Sequence, residues 1–415
     1  MQVVIAGCGP SGLFAATACA KAGLSTLVIA PNPRKRWEQR LCTWEDDWPD
    51  SYRQCLGRRW LRPRVVLADG TSRRLDRTYA QIDNDRLQDA LWANFQDSGG
   101  IYLDAQAQEC CHDELGTSLA TTAGNVRTKI LIDATGSAQA LLSDSRPATQ
   151  FQTAVGAVVS RADGKPVDPV ATFMDFRPAD SEYEDDDLPS FLYTLPLDTH
   201  RLFIEETVLT SYDPKPHETL RQRLNKRIAA SGFRVLPNES GEHCVIAMDA
   251  DIPTDSRVLG FGIAGGMVHP ASGFSVARSA NASERLAKAL CDAQDLSADT
   301  AVAKAALAIW GEDQKRRWAL FGFGRDILSR LDTRQTQRFF EAFFQLDDDD
   351  IADWLSDRMN SRRLAGCMLS VFRRASNDIR TILVLSALRQ PAVLMRGLMS
   401  YSPVRKNSTQ HREAA

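Results

Sequence analysis

The run "RLFIEETVLT" (201–210) sets two adjacent carboxylates, Glu205 and Glu206, inside a strand-like stretch of Leu, Phe, Ile, Val and Thr. Strands are poor in Glu, and two ionised acids buried side by side are costly. Burial raises a carboxyl's pKa, and a neighbouring carboxylate raises it further, so such a pair can keep a proton near neutral pH. The chemistry on offer is proton donation from a carboxylic acid. Successive side chains of a strand face opposite sides. Phe203, Glu205 and Thr207 therefore share one face, and Leu202, Ile204, Glu206 and Val208 share the other, more apolar one. Burial alone favours Glu206 as the desolvated acid.

A second set of residues could hold a cofactor. Gly7, Gly9 and Gly12 form G-x-G-x-x-G between an apolar strand (Val3, Val4, Ile5) and an Ala-rich helical pattern, with "STLVIA" as a second strand. Such glycines allow a tight turn, close approach of a pyrophosphate and close helix–strand packing, with the helix N-terminus towards the phosphates. The acid that usually ends the second strand is replaced by Ala30-Pro31-Asn32, leaving Asn32 as the candidate ribose partner and FAD versus NAD open. Two later segments resemble those of flavoprotein hydroxylases and favour FAD. "KILIDATGS" (129–137) contains Asp133 and Gly136. "VLGFGIAGGMVHPASGFSVARSANASERLAKAL" (258–290) runs through Gly265, Pro270 and Gly273 into a long helix whose N-terminus would point at the flavin ring. The acid that usually holds the ribityl chain is again missing, because Gly262-Ile263 stands at that strand end.

These elements predict an α/β chain: a Rossmann-type FAD-binding domain, discontinuous over 1–148 and 245–300, with an antiparallel-sheet substrate domain inserted at 149–244. A C-terminal helical region follows over 301–415. Asn84 or Asp85 is expected to cap a helix near 84–96, and Ser297 and Asp347 to Asp350 to cap later ones. The acidic run Glu182, Glu184 to Asp187 reads as a solvated loop. At 415 residues and a net charge of −3, the chain has room for several domains and no global attraction to nucleic acid. The nine cysteines show no paired spacing, and the six histidines no ligand spacing, so neither a disulfide framework nor a metal is expected. Neither a signal or transit peptide nor an apolar run long enough to span a bilayer is evident. The segment 381–399 is apolar but broken by Arg389, Pro391 and Arg396, within a basic stretch over 358–403. It fits either a core helical hairpin or a surface resting on lipid.

Several motifs in order resemble the lycopene cyclase family, the flavoproteins that close the end rings of carotenoids. Phe203-Ile204-Glu205-Glu206-Thr207 is similar to its F-L-E-E-T signature, and "FLYTLPL" (191–197), "FMDFR" (173–177) and "GMVHPASGFSVAR" (266–278) resemble neighbouring blocks. "FGFGRDILSRLD" and "RFFEAFFQL" (321–346) resemble its C-terminal helices, whereas "CTWEDDW" (42–48) diverges from the family form. The resemblance implies acid-catalysed cyclisation of lycopene to β-rings, without net redox change, with reduced FAD as the active form and NAD(P)H as reductant. It favours Glu205 as the proton donor with Glu206 as its partner. Asp175 is a candidate second acid. Trp44, Phe203, His269 and Phe274 are candidate pocket residues, the aromatics as π faces for a carbocation.

Lycopene would come from a membrane, so the resemblance also implies a peripheral protein on the cytoplasmic side of a bacterial inner membrane or a cyanobacterial thylakoid. Other carotenoid-pathway enzymes are possible partners. The alternatives are an ε-cyclase, a flavin monooxygenase or reductase of an apolar isoprenoid, and a flavin-binding membrane protein without catalysis.

Overall fold

A computed structural model describes residues 1–142, 146–178, 188–237, 239, 241–253 and 257–398. The acidic run at 182–187 and the end of the basic stretch, 399–403, lie outside the described residues.

The strand Val3–Ala6 is buried on both faces because it lies inside a parallel sheet. The order across that sheet is Val258–Gly260, Ile130–Asp133, Val3–Ala6, Thr26–Ala30, Ile101–Asp104. The helix Pro10–Lys21 starts directly after the glycine turn and buries Leu13, Phe14, Ala16 and Ala20. Gly23, at φ 82°, ends it as expected. The helix Asn84–Asp97 is capped one residue earlier than expected: Asp83 accepts the Arg86 N–H at 3.0 Å. Ser297 caps Ala298–Ile309 as its type predicts, whereas Asp347 precedes Asp348–Leu355 without a side-chain cap bond.

The second layer is a larger, mostly antiparallel sheet. Its order is Phe233–Val235, Gln150–Arg161, Leu202–Tyr212, Phe191–Pro196, Thr172–Asp175, Arg64–Val66, Ser72–Arg74, with Glu242–Ala247 also pairing Gln150–Arg161. The segments expected to divide cleanly at 148 and 245 therefore interleave. Arg64–Val66 joins this sheet by lying parallel to Thr172–Asp175, and Glu242–Ala247 extends it before the chain returns to the parallel sheet at Val258. One face packs on the helix His217–Ala230 through Val155, Ile204, Val208, Leu220 and Leu224. The other face looks towards the parallel-sheet layer and the helices Glu312–Leu328, Thr333–Phe343 and Asp348–Leu355.

Arg278 of the helix Val276–Cys291 and Arg317 of Glu312–Leu328 both pair with the partly buried Asp357. This cluster ties the helix after the parallel sheet to the C-terminal helices.

A methyl group at Gly12 would strike the carbonyl oxygen of Gly7. Gly12→Ala is therefore expected to destabilise the chain by about 1–3 kcal/mol, as overpacking does, measurable by urea unfolding.

Candidate active site

Strand alternation sends the two adjacent acids to different environments. Glu206 is fully buried on the helix-facing side, where Arg227 Nε lies 2.7 Å from its Oε2 and Ser190 Oγ donates to Oε1 at 2.5 Å. Arg223 donates to the same Ser190 oxygen at 2.5 Å. Glu206 is thus a paired carboxylate beneath the helix His217–Ala230, and it does not partner Glu205.

Glu205 points the other way, into a cavity of about 670 Å³. Thr207 Oγ1 donates to its Oε1 at 2.8 Å. Desolvation by the cavity walls pushes its pKa up to about 7; Thr207 and Arg40 pull against that shift, and Glu242 adds to it. Phe203, Phe274, Phe191, Tyr79 and Tyr193 wall the same space. Tyr193 donates to the Tyr79 hydroxyl at 3.2 Å, and burial holds both phenols well above their ordinary range. Away from these groups the cavity runs between aromatic side chains of the C-terminal helices, Phe321, Phe339, Phe340, Phe343, Phe344 and Trp354.

Three expected site residues lie elsewhere. Asp175 sits on the opposite side of its short strand from the cavity, bound by Arg177 through Nη2–Oδ2 at 2.6 Å and by the Arg177 N–H at 3.0 Å. Trp44 stands behind the wall, packed on Tyr79 and Phe173 with ring centroids 4.9 and 5.2 Å away. His269 lies under the floor against Phe321, ring centroids 4.4 Å apart, with Nδ1 3.0 Å from Ser272 Oγ. Burial, with Arg278 and Arg317 nearby, lowers its pKa to about 3, so it is a neutral turn-former.

Two helix starts also line the cavity, through Pro10 and Ser11 and through Ser275 and Val276. Neither Gly9 nor Ser275 makes a side-chain cap bond, so the first-turn N–H groups of both helices are available to a ligand. A Cβ at Gly9 would meet nothing within 4 Å, whereas one at Gly7 would strike the Ala134 carbonyl oxygen. The turn is thus locked from behind and open in front, which fits a dinucleotide's pyrophosphate. Gly273, at φ 77°, lines the cavity beside Gln152; Pro270 is buried in the same turn, and Gly136, at φ 77°, leaves open space beside it.

Two expected cofactor contacts are internal instead. Asp133 spends its carboxylate on Thr135 N, Thr135 Oγ1 and Leu141 N at 2.6–2.9 Å. Gly265 packs on the Gly260 carbonyl, and its own oxygen accepts from Trp310 Nε1 at 3.1 Å. Asn32 adopts a left-handed φ of 49°, and its N–H donates to Asp104 Oδ1 at 3.0 Å. Asp104 ends the neighbouring strand and went unnoticed in the sequence. So did Arg40 and Glu242, which also line the cavity. The alternation of "EHCVIA" (242–247) carries the signal for Glu242, but its strand straddles the boundary expected at 245.

The family described as "Lycopene cyclase protein" matches residues 2–381. Lycopene beta cyclase of Arabidopsis thaliana is 31% identical over 397 residues, 92% of this chain and 79% of that one. The beta cyclase of Capsicum annuum is 30% identical over 395 residues, with the same coverage. Capsanthin/capsorubin synthase of Citrus sinensis is 28% identical over 422 residues, 97% and 83% of the two chains. Among solved structures, a geranylgeranyl bacteriochlorophyll reductase-like protein from Thermoplasma acidophilum superposes with a TM-score of 0.65 at 13% identity, covering 94% and 98% of the two chains. The flavin-dependent brominase Bmp2 gives 0.54 at 14%, covering 94% and 99%. These likenesses place the fold among those of flavin-dependent enzymes.

The two acids predict opposite responses. Arg227→Ala strands a buried charge on Glu206 and should cost about 3–5 kcal/mol in chemical unfolding. Glu205 binds its proton more tightly folded than unfolded, so its contribution to stability is full below about pH 4.5 and is lost as pH rises through about 7. Glu205→Gln should therefore gain stability relative to the native chain across that interval, by on the order of 3 kcal/mol, in unfolding curves recorded at several pH values.

Proposed function

The chain belongs to the lycopene cyclase family, and from that premise we propose that it isomerises the linear ends of lycopene to β-ionone rings with Glu205 as the proton donor. The observation that carries this reading is an uncharged-favouring carboxyl in an aromatic cavity, with its neighbour Glu206 turned away onto Arg227. An alkene is a very weak base, so only a carboxylic acid facing the substrate without competing water can protonate it.

The proton passes from Glu205 to C2 of the terminal double bond, leaving a tertiary cation at C1. The C5–C6 π pair closes the C1–C6 bond and moves the cation to C5. Loss of the C6 proton makes the β-ring, whereas loss from C4 would make the ε-ring. C2 and C6 are both bonded to C1, so the Glu205 carboxylate, having given one proton, is within reach of the other. Atoms and charge balance, and the acid is regenerated. The faces of Tyr79 and Phe274 stabilise the passing cation by about 0.5–2 kcal/mol each, whereas the Phe203 ring is covered by the Arg40 guanidinium. The names of the curated relatives support the β outcome.

The glycine turn and the uncapped helix starts would hold FAD, through Gly9, Ser11, Gly273 and Ser275. In reduced, anionic form FAD held there would supply negative charge towards the cation without net redox change, and NAD(P)H would be its reductant. The membrane reading rests on the C-terminal helices. Leu385, Leu388, Met395 and Leu398 are exposed on Asn377–Arg389 and Pro391–Leu398, and Arg389 and Arg396 stand beside them. No described helix is long and apolar enough to cross a bilayer. This face would rest on lipid as a peripheral surface and pass lycopene to the aromatic end of the cavity. The same surface would serve any exchange with other carotenoid-pathway enzymes.

In lycopene-accumulating cells the chain should yield β-carotene or γ-carotene, and Glu205→Gln should lower ring formation by about 10²–10⁴-fold while FAD stays bound. Undiminished product from that variant would remove Glu205 from the reaction. NAD(P)H consumed in proportion to product would point instead to a monooxygenase or reductase. Leu388→Glu with Met395→Glu should lower co-sedimentation with anionic vesicles, and unchanged sedimentation would exclude this face.

A further inference from the structure

The register of the larger sheet places a second carboxyl in the cavity. Glu242 pairs with Gly156, Gly156 with Glu205, and Glu205 with Tyr193, so the four form one row across the sheet. Residues in one row share a face, and Glu242, Glu205 and Tyr193 all line the cavity. Two strand spacings set the acids about 10 Å apart along that row. Gly156 between them carries no side chain, and a Cβ there would run into the Phe203 ring at 2.5 Å.

Arg40 occupies the wall beside this row. Its N–H donates to Glu242 Oε1 at 3.0 Å, its Nε lies 3.9 Å from Glu242 Oε2, and its guanidinium covers the Phe203 ring at 4.5 Å. Arg40 therefore stands beside the proton donor, since Phe203 and Glu205 share a face, and its charge already pulls on the Glu205 carboxyl. A guanidinium that swung onto Glu205 would form an ion pair and end its use as an acid.

We propose that Glu242 is a positioning residue that tethers Arg40 over Phe203 and so denies Glu205 an ion-pair partner. The proposal rests on the reading of Glu205 as the proton donor. Among the described residues, the titratable and charged groups facing Glu205 are Arg40, Glu242, Cys42, Tyr79, Tyr193 and Cys244, with His243 at the rim. Burial keeps both tyrosines and both cysteines neutral at working pH. Burial raises the Glu205 pKa and the Thr207 hydroxyl lowers it; of the charged neighbours, Glu242 opposes its ionisation and Arg40 favours it.

The test uses the purified FAD-loaded protein. Glu242→Gln keeps an amide oxygen for the Arg40 N–H but removes the charge that holds the guanidinium. Two readings are taken: the pH profile of ring formation, and the titration of the Glu205 carboxylic C=O stretch by difference infrared spectroscopy, assigned by its loss in Glu205→Gln. Both midpoints should fall by about one pH unit, which lowers activity about tenfold above them and spares it on the acid side. Arg40→Gln in the same chain should restore both midpoints to the native value or higher. Unmoved midpoints in Glu242→Gln with normal FAD content, an equal loss of rate at every pH, or no restoration by the second substitution would each overturn the proposal. A midpoint that falls as expected in a protein that forms no ring would instead overturn the cyclase reading and leave this one standing.

Discussion

A carboxyl group cannot stay charged in an apolar wall unless a cation answers it, and this one constraint sorts the site. The strand Leu202–Tyr212 is covered on both faces, so each of its two acids must settle its own electrostatics. Glu206 does so with Arg227 and Ser190, in a network that includes Arg223. Glu205 has a threonine hydroxyl and an arginine whose charge is engaged elsewhere. One acid therefore fastens a helix to a sheet, while burial biases its neighbour towards the protonated form.

Much of the frame was legible because local chemistry dictates it. Val3, Val4 and Ile5 followed by Gly7, Gly9 and Gly12 leave little choice but a parallel strand, a tight turn and a helix. Alternation also assigned the two glutamates to opposite faces correctly. What it could not tell was which face met the cavity. The face with Leu202, Ile204 and Val208 is more apolar, yet its apolarity serves the helix His217–Ala230.

The misplaced residues share a cause. Asp133 and Asp175 looked like ligands by type and position, but their oxygens are consumed within two to eight residues by their own loops. Local side-chain-to-backbone bonding of this kind is invisible until the turn is seen. His269 and Trp44 fell one layer short of the cavity, a matter of packing depth that sequence periodicity does not carry. Arg40, Asp104 and Glu242 were missed for the converse reason. They matter only through pairings between strands and loops far apart in the chain, such as Glu242 with Gly156.

The strand order of the parallel sheet has a further consequence, for the making of the protein. Ile130–Asp133 is flanked by Val3–Ala6 on one side and Val258–Gly260 on the other. The sheet therefore cannot close until the chain has been synthesised past residue 260, after all strands of the larger sheet exist. Pairings so distant in sequence are slow to form and exposed while they wait. A nucleotide that bridged the glycine turn and the late helix Val276–Cys291 would bind only to a chain that has completed this closure, and its capture would then be a checkpoint of folding as well as a preparation for chemistry.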